Sequence, residues 1–348
     1  MDEKEVRHAY VIYSDAMIRW HVRIIRGDTY KMNHSADETR ASLANNLRYF
    51  IKWSLIALLI GGTGGLIGSL FSMGVSFATS FRMNHPNMLF FLPVSGILIV
   101  WLYHTFHEEG NRGTNMVIDA ISSTEKVTLA TGPLIFVSTV LTHIAGGSSG
   151  REGAALQLGG SLGNLFGNAI HLDEKDKKIA IMCGMSAVFS ALFGTPVAAA
   201  IFPLEVISIG VLYYAALVPC IFSSFIGVGI ARYLGIAGEH FTVLSIPAIS
   251  VSSVGWIIFL SALCAGVSIV FCLMLHGAEH TYRKIFPNPY VRILAASAIF
   301  ILLTLLIGTR DYCGSSMPLI ERSMEGEIGY EAFFLKNAVY SDCPWCRL

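Results

Sequence analysis

The sequence predicts an all-α polytopic membrane protein, and three observations lead there. Of its 348 residues, 53% are hydrophobic and only 14% charged, against roughly a quarter charged in an ordinary soluble domain; the mean hydropathy is +0.59. Apolar stretches close to the roughly 20 residues that span a bilayer occur at 49–81, 88–106, 130–149, 179–193, 209–235, 251–278 and 290–308. Glycine-rich interruptions separate some of them, above all Gly146-Gly147-Ser148-Ser149-Gly150-Arg151-Glu152-Gly153. No water-soluble core of this size requires so many long apolar runs.

Residues 1–46 form a polar N-terminal segment without a short apolar run, so it reads as neither a signal nor a transit peptide. Arg7, Arg19, Arg23, Arg26, Arg40, Arg48 and Lys52 precede or open the first span, which places the N-terminus in the cytoplasm. The stretches 151–166 and 195–208 are only three to four turns long and open on Gly-Arg-Glu-Gly and Gly194-Thr195-Pro196. Such segments fit helices that start inside the membrane, where irregular backbone survives only if protein buries it or it lines a cavity. The alternative is that these are ordinary helix-packing glycines.

Glu152 is an acid set between apolar segments, and an ionisable group at membrane depth faces a cavity, an ion path or a partner. Glycines on both sides let backbone N–H groups approach a small anion, and the apolar run after Glu152 aims a helix N-terminus at the same place. A fainter echo links Gly113-Thr114-Asn115-Met116-Val117-Ile118-Asp119 to Gly314-Ser315-Ser316-Met317-Pro318-Leu319-Ile320-Glu321, as in transporters built from two related halves. Five of the seven cysteines, Cys183, Cys220, Cys264, Cys272 and Cys313, lie in or beside apolar segments. They read as small core residues, not as a disulfide framework. Cys343-Pro344-Trp345-Cys346 has neither a strand-to-helix context nor two further ligands nearby, so no redox motif or metal site is read there.

The Gly146–Gly153 run, the Gly113-Thr114-Asn115 loop and the segment from Phe193-Gly194-Thr195-Pro196 to Glu205 resemble, in order and spacing, the three anion-site motifs of CLC-type chloride channels and anion/proton antiporters. The likeness spans roughly residues 50–337. It implies a CLC-like inverted-repeat bundle of tilted and re-entrant helices, with a transmembrane domain at 47–337. The first repeat would cover about 47–235 and a partial second repeat about 250–337. It further implies a homodimer with a pore in each subunit, and anion transport, not an enzyme. Fluoride or chloride ions, protons and the lipid bilayer are then the expected partners, without cofactor, metal or nucleic acid. A compact chain of this kind suits a bacterial inner membrane.

By this resemblance Glu152 falls on the gating glutamate, whose carboxylate enters the anion path when deprotonated. Gly150, Arg151 and Gly153 complete that motif, and Gly113, Thr114, Asn115 and Met116 form the first one. A low-dielectric site pushes the acid toward neutrality while backbone donors and the helix end favour its charge. The competing reading is a buried structural glutamate paired with Arg151. Thr114 falls where chloride-selective members carry a serine, and is either an ion ligand or a helix N-cap. Asn115, Met116 and Val117, where those members usually have proline, are more similar to the fluoride-transporting branch. Glu205 falls on the first acid of the third motif's usual pair and reads as a bridge between helices. Val206 stands where chloride/proton antiporters keep a proton-transfer glutamate. Valine cannot carry a proton, which leaves passive chloride channels and fluoride/proton antiporters. Pro203 adds an expected kink.

Likeness to the fluoride branch continues from Arg310-Asp311-Tyr312 through Pro318-Leu319-Ile320-Glu321 to Phe333-Phe334-Leu335-Lys336. Other members continue with an apolar region carrying a GGEVTP-like loop and a pore-lining tyrosine. Residues 338–348 are expected to be an unrelated tail. Codons from Ala338 read one nucleotide later permit the apolar string LFTLTALGAGF, so a frameshift is the expected cause. Sequencing the locus downstream of Lys336 tests it, and an early stop in the shifted frame would end the idea. Without facing donors from a second half, transport by this chain is expected to be impaired. Three functions therefore compete: a fluoride exporter, a chloride channel or transporter of the same fold, and an intramembrane hydrolase using Ser148 or Ser149 with His143.

Overall fold

The computed structural model describes residues 36–108, 116–119, 128–206, 213–236, 238, 248, 250–315, 317–329, 332 and 336. The chain divides into two compact units, residues 1–52 and 53–348. The described part of the first is the opening stretch of helix α1 (Ala36–Asn84). In the second, a 3-10 turn at Pro86–Phe91 leads to α2 (Leu92–Thr105), α3 (Thr131–Ile144), α4 (Glu152–Ala169), α5 (Glu174–Phe193), α6 (Pro196–Val206), α7 (Tyr214–Tyr233), α8 (Val251–Ile285), α9 (Pro289–Ile307) and α10 (Met317–Met324). Among the described residues there is no strand.

Five helical stretches are long and apolar enough to cross a membrane: Asn46–Asn84, Pro86–Thr105, Tyr214–Tyr233, Val251–Ile285 and Pro289–Ile307. The sequence points to seven, and the two differences have physical causes. The stretch 130–149 holds α3, which ends at Ile144 because Gly146 turns the chain at φ +82°. The stretch 179–193 is the inner part of α5, a helix that opens on Glu174-Lys175-Asp176-Lys177 and is capped by Asp173, whose carboxylate accepts from the Asp176 N–H at 2.7 Å. Nearly every residue from Ile179 to Leu192 is buried, so α5 is a central helix surrounded by protein. A third difference concerns α4, which runs 18 residues and not three to four turns.

The glycines inside α4 do not break it; they admit a neighbour. A Cβ on Gly159 would collide with the Gly184 carbonyl of α5, one on Gly184 with the Gly159 carbonyl, and one on Gly163 with the Ala180 carbonyl. Helix α1 wedges against the same core through two stripes at i, i+4 spacing. A Cβ on Gly61 or Gly65 would lie 2.9 or 2.8 Å from the Ser223 or Gly227 carbonyl of α7, and one on Gly64 or Gly68 would lie 2.7 or 2.9 Å from Ala187 or Ala191 of α5. This is the small-residue packing by which membrane helices approach closely. The Ser223 hydroxyl adds a bond from α7 to the Cys183 carbonyl of α5 at 2.9 Å.

No residue of α8 is buried, and its Trp256, Phe259 and Leu260 are exposed. Cys264 and Cys272 share that exposure, which corrects their reading as core residues; Cys183, Cys220 and Cys313 are buried, and all five are free thiols. The described residues bury none of this helix, and its length and apolar composition are those of a membrane span. Pro203 lies inside the short α6 and is itself buried.

Candidate functional site: a glycine loop ringed by cations

Helix α3 closes with the Gly146 and Gly147 N–H groups donating to the His143 and Thr142 carbonyls at 3.2 and 2.9 Å. The chain then runs without regular structure to Arg151, and α4 begins at Glu152 with no side-chain cap. The first N–H groups of a helix have no acceptor within it. Together with the helix dipole, they make this end a place for negative charge.

Three cations surround the loop. Arg151 is buried, and its guanidinium carbon lies 5.4 Å from the centroid of the Phe193 ring, within cation–π range. Lys336 is buried as well, and its ammonium donates to the Ser148 hydroxyl at 2.9 Å, the Tyr312 carbonyl at 2.9 Å and the Gly314 carbonyl at 3.2 Å. Arg82 lies between two glycines: a Cβ on Gly146 would sit 3.2 Å from its Cδ, and one on Gly314 would sit 3.0 Å from a guanidinium nitrogen. Both glycines have positive φ, +82° and +73°, so a larger residue at either place meets strain as well as crowding. All three cations are within electrostatic reach of the fully buried His143. Outside the spans, burial pushes the Cys313 thiol up, against the opposing pull of its Thr304 hydrogen bond and of Arg82, Lys336 and Arg310.

Glu152 stands exposed at the end of this loop and forms no ion pair among the described residues. The Arg151 guanidinium feels the charge of Glu152, but with the carboxylate exposed this is not the buried pair of the competing reading. Gly150 and Gly153 are half-buried beside it. Gly113, Thr114 and Asn115 lie outside the described residues. Met116 is buried at the start of the helical residues 116–119, and the adjoining Val117 packs on Gly160, two turns along α4 from Glu152. The first motif thus leads onto the helix that the second one opens. Glu205 is exposed at the end of α6 and forms no ion pair among the described residues; Val206 is half-buried.

Among the described residues the contact that the hydrolase reading needs is not formed. His143 Nδ1 bonds to the Thr139 carbonyl of its own helix at 2.8 Å, not to Ser148 or Ser149. Ser148 instead accepts from Lys336, and an ammonium that donates three bonds has no lone pair to act as a base. Among the described residues Ser148 and His143 are not joined as nucleophile and base, and His143 Nε2 has no hydrogen-bond partner. Sequence reasoning passed over Arg82 and Lys336, the two cations that the fold brings from distant parts of the chain to this loop. A charged residue at the edge of an apolar stretch was the available signal.

Residues 95–340 match the family described as voltage gated chloride channel. A chloride/fluoride channel protein of Pseudomonas syringae pv. tomato is 28% identical over 286 residues, which is 80% of this chain and 63% of that protein. An uncharacterized protein of Methanocaldococcus jannaschii is 27% identical over 240 residues, 68% of this chain and 56% of that one. The chain thus spans less than two thirds of the length of either relative. Among solved structures, a CLC-type fluoride/proton antiporter is similar with a TM-score of 0.80 and 29% identity, covering 85% of this chain and 76% of that one. A slow cyanobacterial chloride/proton antiporter shares the fold with a TM-score of 0.69 at 18% identity, covering 84% and 74%.

Proposed function

Because the chain belongs to the voltage gated chloride channel family, we propose that it serves the movement of fluoride across a membrane in exchange for protons, with Glu152 as the gate. The carrying observation is the uncapped start of α4, where an exposed carboxylate adjoins a glycine loop ringed by Arg82, Arg151 and Lys336. A small anion gains backbone donors and positive potential at that loop, and the Glu152 carboxylate competes for the same field. Protonation removes the competitor, which links anion occupancy to pH. The likeness to a fluoride/proton antiporter and the absence of an acid at Val206 support fluoride over a chloride/proton exchange. In this reading the protein is a homodimer in a bacterial inner membrane, with its N-terminus in the cytoplasm.

Efflux from proteoliposomes, followed with a fluoride and a chloride electrode in parallel, tests the assignment. The flux that the chain sustains should favour fluoride, and Glu152→Gln, an amide of the same shape that cannot titrate, should abolish its proton coupling. A chloride flux exceeding that of fluoride would assign the chain to the chloride reading. Proton coupling unchanged in Glu152→Gln would remove the gate.

A further inference from the structure

Helices α1 and α9 end beside a cavity of about 360 Å³ that the anion loop leaves unexplained. Its walls include Arg82 from the last turn of α1, Gly146, and Arg310, Asp311 and Arg322 from the stretch after α9. Three guanidinium groups there meet one carboxylate. Asp311 is taken by Arg322 at 3.1 Å, and Arg322 also reaches Glu327 at 3.8 Å. Among the described residues neither Arg82 nor Arg310 forms an ion pair, and the buried Nε of Arg82 has no hydrogen-bond partner. A buried donor without an acceptor is costly. Nor is Arg82 free to swing away, since Gly146 bounds its stem and Gly314 its guanidinium.

The volume is far larger than a halide needs, and guanidinium matches tetrahedral oxyanions with paired N–H donors. Two stretches long and apolar enough to cross a membrane end here, which in that reading brings the cavity toward lipid headgroups, and Leu89 and Leu319 give it an apolar wall. We propose that this cavity binds a phosphate group, held by Arg82 and Arg310 against a wall formed by the Asp311–Arg322 pair. The proposal rests on reading α1 and α9 as membrane spans and not on which ion the loop at Glu152 selects. A phospholipid headgroup and free inorganic phosphate offer the same chemistry.

The test uses the full chain, as wild type and as Arg310→Gln and Arg82→Gln variants, in two arms. Native mass spectrometry from bilayer nanodiscs counts retained phosphatidylglycerol against phosphatidylcholine, and thermal melting in detergent is titrated with inorganic phosphate against chloride at equal ionic strength. Loss of one charge-assisted bond should weaken binding by about tenfold or more. Weaker phosphatidylglycerol retention in the variants assigns a headgroup; a phosphate-dependent melting shift that the variants lose assigns free phosphate. Arg310 is exposed in a loop, so Arg310→Gln should melt like wild type without ligand and serves as the folded control. Equal retention and equal melting shifts in wild type and Arg310→Gln would overturn the proposal. Fluoride flux measured on wild type and Arg310→Gln, whose side chain lies outside the ring of cations at the glycine loop, reports separately on the transport reading.

Discussion

Substituting Gly184 with leucine is expected to prevent the protein from folding, and alanine at the same position should already be severe. The Cβ of either residue would enter the Gly159 carbonyl, and Gly163 N lies close behind it at 2.9 Å. The obstacle is backbone on a packed helix, which no side-chain rotation relieves. Overpacking of cores costs about 1–3 kcal/mol, and a clash between two central backbones belongs at or beyond the top of that range. Size-exclusion profiles in mild detergent should show the loss of the monodisperse peak for Gly184→Leu. Gly229→Ala is the control, since nothing lies within 4 Å of a Cβ there. A monodisperse Gly184→Leu protein of wild-type melting temperature would mean that α4 and α5 do not cross as described.

Lys336→Met is expected to remove Glu152-dependent flux while leaving helical content intact. Methionine keeps the length of the side chain but withdraws the donor shared by Ser148, Tyr312 and Gly314. Hydrogen bonds to charged groups contribute about 1.5–3 kcal/mol each, and relief from burying a charge offsets part of that. A net loss of about 3 kcal/mol falls on the contact between the glycine loop and the 312–314 turn. Limited proteolysis should find the turn more open, and Lys336→Arg should recover part of the flux if charge matters beyond length. Unaltered flux and proteolysis in Lys336→Met would show that the loop is held elsewhere.

The spans were legible because apolar runs such as 251–278 and 290–308 carry their own signal, and α8 and α9 cover them. Helix α5 was harder to read. Its apolar residues look like a short span, yet a charged and capped first turn extends it to Glu174 and burial by protein accounts for its composition. For the α4 glycines, the alternative of helix packing describes Gly159 and Gly163, while Gly146 and Gly147 belong to the loop. The motif around Glu152 stood out locally, since backbone freedom and charge are written in adjacent residues. The cations that ring it did not. Arg82 comes from the end of α1 and Lys336 from beyond α10, and only the packing of the helices brings them to one loop.

The bond between Ser148 and Lys336 joins residues 188 apart, which gives the site a birth date as well as a shape. A ribosome adding about 5–20 residues per second takes roughly 10–40 s to cover that interval. Throughout it the glycine loop and Glu152 exist as nascent chain without their lysine. The helices that carry the motif are therefore made well before the charge that closes it, whose arrival is set by the 188 residues between them.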